Sequence, residues 1–515
     1  MAGPFSKDKE KILAKPKVIL SFFLFLCIVV FCVNEVSYIF RYNYAHRDAL
    51  IGFENEDHVN VVFVGGSNVR CAIQPLEGWK EYGITSYNYA ANAAKFDLFP
   101  RYMDVIRKYN SPELFVIDLR TLPLVVKGVE EKAIRGWADC YDIYDPIRIR
   151  GICDYFFRRD YDLNEIPSFF LDIMRFHTQD KNLGVNTQWA PLKRSEIRDI
   201  TKGADDVCEI NAYNTIMLTP EGKGMSELQM KVLKEVLDYC DNNHLNALFI
   251  CTPYILSKED YDVFDAAEKI ISERGYTFQN LNDHCEEIGI DFNTHFCDVN
   301  HTNYLGAKAV SAYIFNYLSS NYSFSEQSAE SAEKWNDDYS EYSIISAQRQ
   351  SAINALKDSL DEAKESEKEL VLESDFRDWL RIANMKGFSL VLIQDKSLDW
   401  DVDNEDFESF LDTNGIILNM GTNVLTIRDG KVRFDYRKTN DNKGTTGNDR
   451  CPIDFSIIDT DDEFGIDING VGVFSSCNNA LRILVINNQY RRLVDDIIIE
   501  NADGDLAIEH IAGCR

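Results

Sequence analysis

The 515-residue chain is short of basic charge: 54 Lys and Arg stand against 84 Asp and Glu, a formal net charge of −30. A nucleic-acid-binding protein needs a basic face to displace counterions from phosphates, so no nucleic-acid partner is expected. The thirteen cysteines include no C-x-x-C pair and no Cys/His spacing of the zinc-ribbon kind, which argues against a structural zinc site. They are also odd in number and scattered, with Cys27 and Cys32 inside an apolar run. Mostly buried thiols are therefore expected rather than a disulfide framework, with one or two bridges left open. No Gly-rich loop leads into Lys-Ser/Thr; Lys223 stands only in Gly222-Lys223-Gly224, so a nucleotide-driven mechanism is not expected. No repeat of solenoid period is present. Disorder is excluded by the opposite signal, since 31 Phe and 25 Tyr are far too many for a solvated chain.

What the chain has first is an apolar N-terminal run. Val18 to Asn34 is seventeen residues without a charge, and after Glu35 the pattern continues through Phe40. A helix over 18–40 is long enough to cross roughly 30 Å of hydrocarbon. Lys7, Lys9, Lys11, Lys15 and Lys17 precede it, against Asp8 and Glu10. The positive-inside tendency then keeps residues 1–17 cytoplasmic and places the chain beyond about Arg41 outside a plasma membrane. The length of the run and the lack of a small-x-small site favour a single-pass signal anchor over a cleaved signal peptide.

Beyond the anchor, the runs 60–65 (NVVFVG), 114–119 (LFVIDL) and 245–251 (LNALFIC) read as buried parallel strands. Helical patterns lie at 98–109, 226–242, 261–274 and 304–318. The alternation predicts an α/β domain over 52–322, a parallel sheet with helices on both faces. Residues 121–224 lack clean alternation and are dense in aromatics and Arg, as a cap insertion would be. Residues 323–372, rich in Ser, Ala, Glu and Lys, read as a solvated helical spacer. From 373 to 515 the pattern becomes a small β-rich domain, with strands at 388–393, 424–428, 432–436, 453–458 and 481–486. Asp429-Gly430 and Asn469-Gly470 supply hairpin turns. Residues 321–515 carry about −19 of the net charge.

Two motifs in the α/β domain carry chemistry. The first strand runs into Gly65-Gly66-Ser67-Asn68, which sets a serine hydroxyl at the carboxyl edge of a parallel sheet. Asp298-Val299-Asn300-His301 precedes the last helix. An imidazole that is to accept a serine proton needs a carboxylate to fix its tautomer, and Asp298 is placed to supply one. Each motif has an ordinary reading, a turn and a helix cap; their occurrence at the two ends of one domain is what singles them out.

This pairing resembles the SGNH/GDSL hydrolase superfamily, whose fold is a flavodoxin-like parallel sheet. It is most similar to the membrane-anchored extracytoplasmic members associated with bacterial surface-polysaccharide and teichoic-acid modification. The segments carrying the likeness are VVFVGGSNVRCAIQP, ITSYNYAANAA, LFICTPY and HFCDVNHTNYLGAKAVSAYIFNYL. The resemblance implies Ser67 as nucleophile, His301 as general base and Asp298 as its orienter, with no cofactor and no metal. It implies acyl, expectedly acetyl, ester transfer or removal on a cell-surface glycan, with a membrane-bound O-acyltransferase as donor partner. The family's G-x-N-D block has no counterpart here. Asn92 and the amide of Ala91 are the candidate oxyanion donors beside the Ser67 amide, with Asn88 behind them.

Lesser candidates are His177 in the cap, His295 as a misleading metal ligand, and Trp137, Tyr141, Tyr144 and Trp189 as sugar-stacking aromatics. Asp459, Asp461, Asp462 and Glu463 do not follow an EF-hand spacing. The C-terminal segment IDFSIIDTDDEFGIDINGVGVFSSCNNALRILVINNQYRRLVDDIIIE resembles the ILEI/PANDER-type domain, which implies a β-sandwich-like glycan-binding module. The rival to an enzyme is a catalytically inactive, anchored glycan-binding scaffold.

Overall fold

The structure, a computed structural model, describes residues 16–41, 46–125, 131–158, 166–171, 173–177, 191–213 and 223–394 and, beyond these, 398, 400, 404–416, 423–428, 430–437, 455–459, 464–468, 472–475, 480–502 and 505–511. The chain divides into two compact units, one of residues 1–207, 216–290 and 300–346, the other of 208–215, 291–299 and 347–515. The 52–322 segment is thus shared, because two short stretches of it cluster with the C-terminal unit.

The first unit is built on five parallel strands, β1 (Val61–Gly65), β2 (Ser86–Ala90), β3 (Leu114–Asp118), β4 (Ala247–Cys251) and β5 (Thr277–Asn280), in the order β2-β1-β3-β4-β5. β-Branched and aromatic side chains alternate between two separate cores. Val62, Val64, Phe115, Ile117 and Phe249 face one, and Val61, Phe63, Val116, Leu248 and Ile250 face the other. Helices Phe99–Tyr109 and Glu227–Asn242 cover the first face, and Tyr304–Asn321 covers the second. β2 and β5 have no hydrophobic run to announce them: β2 is SYNYA, whose Ser86 and Asn88 are fully buried, with Ser86 Oγ on the Pro75 carbonyl and Asn88 Nδ2 on the Ile73 carbonyl.

Short helices Glu131–Ala138, Pro146–Arg158, Ile166–Phe170 and Ile173–Phe176 fill the expected cap region. Buried Arg148 laces them together, donating to the carbonyls of Ala138 and Phe169 at 2.8 Å each. The chain then returns to the sheet edge, where Lys202 accepts the Asn88 N–H at 2.9 Å.

Helix Pro16–Phe40 is long and apolar enough over Val18–Phe40 to cross a membrane. Its distal end departs from a simple tether. Asn34, Ser37 and Tyr38 are buried, and Asn34 is held by Asp142 Oδ1 and by the Ile143 N–H, both at 2.9 Å. Arg41 donates to the carbonyls of Asp139 and Tyr141. Lys7, Lys9, Lys11 and Lys15 lie outside the described residues.

The expected solvated spacer is corrected. Residues Ala329–Leu370 form one 42-residue helix, in which Trp335, Tyr342, Leu360 and Leu370 are buried while Ile344 is exposed. Trp335 and Tyr342 enter the core of the first unit, and Ala363 and Leu370 that of the second. Seven-residue spacing puts each such pair on one stripe, so a polar composition conceals a packed helix.

The second unit has a six-stranded antiparallel sheet in the order β14-β13-β12-β6-β7-β8 and a three-stranded one in the order β11-β10-β9. The strands are β6 (Phe388–Gln394), β7 (Asn423–Arg428), β8 (Lys431–Arg437), β9 (Phe455–Asp459), β10 (Phe464–Ile468), β11 (Gly472–Ser475), β12 (Leu481–Asn487), β13 (Arg492–Ala502) and β14 (Asp505–His510). Helices Phe376–Ala383 and Glu405–Asn414, which strand patterning did not announce, pack on one face of the large sheet through Phe376, Trp379 and Phe407. The small sheet packs on the other through Ile466, Ile468 and Phe474. Among the described residues all ten cysteines are free.

Candidate active site

β1 ends at Gly65, where a Cβ would lie 2.3 Å from Val69 Cγ2 and 3.2 Å from Asp118 Cβ. Only glycine lets the chain double back at once into helix Ser67–Ala72. Ser67 is the first residue of that helix, half-buried at the carboxyl end of β1, between strands β2 and β3. This is the sheet edge where doubly wound folds place their ligands.

His301 comes from the opposite end of the unit, and its Nε2 lies 2.7 Å from Ser67 Oγ. Its neighbours fix it on both sides. Thr302 Oγ1 donates to the Cys71 carbonyl at 3.0 Å, tying the histidine segment to the Ser67 helix. Asn303 caps helix Tyr304–Asn321 by accepting the N–H groups of Leu305 and Gly306. Asp298 is half-buried, three residues ahead; the division between the two units falls between it and His301.

Sequence reasoning missed the residues that organise this edge. Asp118, the last residue of β3, is fully buried and accepts from Asn68 Nδ2, from the Thr252 N–H at 3.2 Å and from the Arg120 N–H at 3.3 Å. Asn68 Nδ2 also reaches Thr252 Oγ1 at 2.6 Å. One carboxyl thus joins the loops after β1, β3 and β4. Burial pushes Asp118 up to about 6, against the pull of these hydrogen bonds and of the Arg120 charge.

Arg120 is the second omission. It is buried, its guanidinium lies 3.8 Å from the Tyr254 ring centroid, and Nη2 donates to Asn300 Oδ1 at 2.6 Å, one residue before His301. Its Nε and Nη1 are buried without a hydrogen-bond partner. The readable signal was Asp118-Leu119-Arg120, a charged pair at the end of a strand otherwise apolar.

The expected oxyanion donors fall in β2 and the turn after it. The Ala91 N–H points to the Gly65 carbonyl at 3.4 Å, as a continuation of the sheet, and is not free. Asn92 is exposed in a turn, and its N–H is bound by His46 Nδ1 at 3.1 Å. Asn88 lies in β2 with Nδ2 on the Ile73 carbonyl at 2.8 Å.

Two of the four stacking aromatics are core: Trp137 is fully buried against Tyr102, and Tyr141 is buried against Tyr89. Tyr144 is exposed, and Trp189 lies outside the described residues. His177 is exposed, its Nδ1 3.0 Å from the Met174 carbonyl. His295 accepts the Asp291 N–H at Nδ1, and burial lowers its pKa against the pull of Asp291. Lys223 is exposed; Asp461, Asp462 and Glu463 lie outside the described residues, while Asp459 ends β9. The sequence matches no protein-family model and no curated protein.

Proposed function

We propose that the first unit is a membrane-anchored, extracytoplasmic SGNH-type serine enzyme that transfers or removes acyl groups, acetyl first among them, on a cell-surface polysaccharide. The observation that carries this reading is the 2.7 Å Ser67 Oγ–His301 Nε2 contact at the carboxyl edge of β1. The strand order 2-1-3-4-5, that of flavodoxin-like sheets, supports it. In the reaction, Ser67 Oγ attacks the acyl carbonyl while its proton passes to His301 Nε2, and Asp298 is the orienter that the resemblance implies. The leaving alkoxide takes that proton, and the acyl group remains on Ser67. An incoming hydroxyl then gives its proton to His301 and accepts the acyl group, and His301 returns that proton to the departing Ser67 Oγ. Water in that role makes an esterase; a sugar hydroxyl makes an O-acyltransferase. The Ser67 amide is the assigned oxyanion donor. A membrane-bound O-acyltransferase is the proposed donor partner, and the N-terminal helix holds the site beside it.

A second reading, an inactive glycan-binding scaffold, is favoured by the engaged Ala91 amide and the exposed Asn92. The full chain in detergent decides between them when treated with a fluorophosphonate probe and p-nitrophenyl acetate. Labelling at Ser67 that disappears in Ser67→Ala and in His301→Ala carries the enzyme; no labelling of the folded chain leaves the scaffold.

A further inference from the structure

The second unit contains a cavity of about 390 Å³ lined by Lys386, Arg428, Lys431 and Arg433, with Glu209 as the one carboxylate among the described lining residues. This concentration of positive charge sits in a chain of net charge −30. Several other cations of the same unit are paired: Arg482 with Asp496 at 2.6 Å, Arg377 with Asp406 at 2.6 Å, Lys357 with Asp361 at 2.8 Å. Lys386, Arg428 and Lys431 form no ion pair among the described residues.

The strand register makes the grouping costly. Arg428 and Lys431 are direct partners across the β7–β8 hairpin, and like charges opposite one another destabilise a sheet. An anion between them reverses the sign of that term. The rest of the wall is suited to holding one. Gly387, at φ +103°, passes so close to helix Ala329–Leu370 that a Cβ would lie 3.0 Å from Ala363 Cβ, giving a firm apolar floor. Asn488 is oriented by Ser389 Oγ on its Oδ1 at 2.6 Å, which leaves its amide nitrogen as a donor.

We propose that this cavity binds a ligand carrying two or more closely spaced anionic oxygen groups, phosphate or carboxylate, as on an acidic glycan. A volume of about 390 Å³ fits a small-molecule or single-sugar-sized group. Lys386 and Lys431 are exposed and give electrostatic capture, while Arg428, half-buried, supplies a planar fork for a paired contact. The site stands whether or not Ser67 is reactive.

Calorimetric titration of the full chain in detergent, at low salt, with inorganic tripolyphosphate and with trigalacturonate tests this directly. At least one probe should bind. Lys386→Gln and Lys431→Gln should each weaken binding about tenfold, the loss expected for a charge-assisted hydrogen bond. Lys269→Gln, a surface lysine of the first unit, should leave binding unchanged. Binding of tripolyphosphate alone assigns phosphate, and binding of trigalacturonate alone assigns carboxylate. No binding of either probe, or equal binding by the Lys386→Gln/Lys431→Gln double variant, overturns the proposal.

Discussion

Acid should loosen the chain after β2 through one histidine. His46 is almost fully buried, with Nε2 2.7 Å from the Gly136 carbonyl and Nδ1 accepting the Asn92 N–H at 3.1 Å. That pattern requires the neutral ring, because a proton on Nδ1 would face the Asn92 donor. Burial lowers its pKa from 6.5 to about 4, with Arg70 and Arg47 adding to the shift and Gly136 and Asp205 opposing it. The folded value lies below the unfolded one, so the stabilisation is complete above about pH 6.5 and is lost as pH falls towards 4. Between pH 7 and pH 5 the loss amounts to about 1.8 kcal/mol, roughly twentyfold in any opening that frees the ring. Hydrogen exchange of peptides spanning residues 87–96, corrected for intrinsic rate, reads it directly. Wild type should lose that protection on acidification and His46→Gln should not. A parallel loss in both proteins would refute the argument, because buried Asp118 and every other titrating group is common to the two.

Asp118→Ala should strand the Asn68 amide and the Thr252 N–H, costing about 1–3 kcal/mol per buried group, and should slow probe labelling of Ser67; urea unfolding and labelling kinetics check both. Asp118 itself contributes with the opposite sign to His46: with its folded value raised to about 6, its ionisation removes stability as pH rises from about 4 through 6, and Asp118→Asn should flatten that component. Lys202→Met should cost about 3 kcal/mol, since buried Lys202 sits 2.6 Å from Glu56 and 2.5 Å from Asp338, which would keep only Lys334 at 3.5 Å and Arg198, both partly exposed. Thermal unfolding reads that loss, and adding Asp338→Asn should recover part of it. Gly78→Ala should cost about 1–3 kcal/mol, because the new methyl would lie 2.4 Å from the Phe315 ring, and the same scan reads it.

Local pattern carried a good deal of this protein. β1, β3 and β4 are apolar runs bounded by turns, and the sheet they form is the one the alternation with helices predicts. The strands β6, β7, β8 and β12 were legible for the same reason. β2 and β5 were not, since SYNYA and TFQN carry no apolar run and gain their strand identity from pairing with β1 and β4. The helix at 329–370 was read as solvated because composition averages over faces, whereas burial depends on which few residues share a stripe.

The site divides in the same way. Ser67 and His301 were found because each stands in a short motif whose neighbours are fixed by the chain itself, a glycine turn and a capped helix start. The 2.7 Å contact between them spans 234 positions, and no local rule supplies such a distance. Arg120 and Asp118 went unread because a charged pair at a strand end is ordinary until the fold brings Asn68, Thr252, Tyr254 and Asn300 around it. The sequence by itself determined the apolar helix, the parallel strands β1, β3 and β4 and the two candidate motifs, all properties of residues within a turn or a strand of one another. Tertiary structure alone decided which polar groups met and which amides were already engaged, because burial and hydrogen-bond closure depend on segments far apart in the chain.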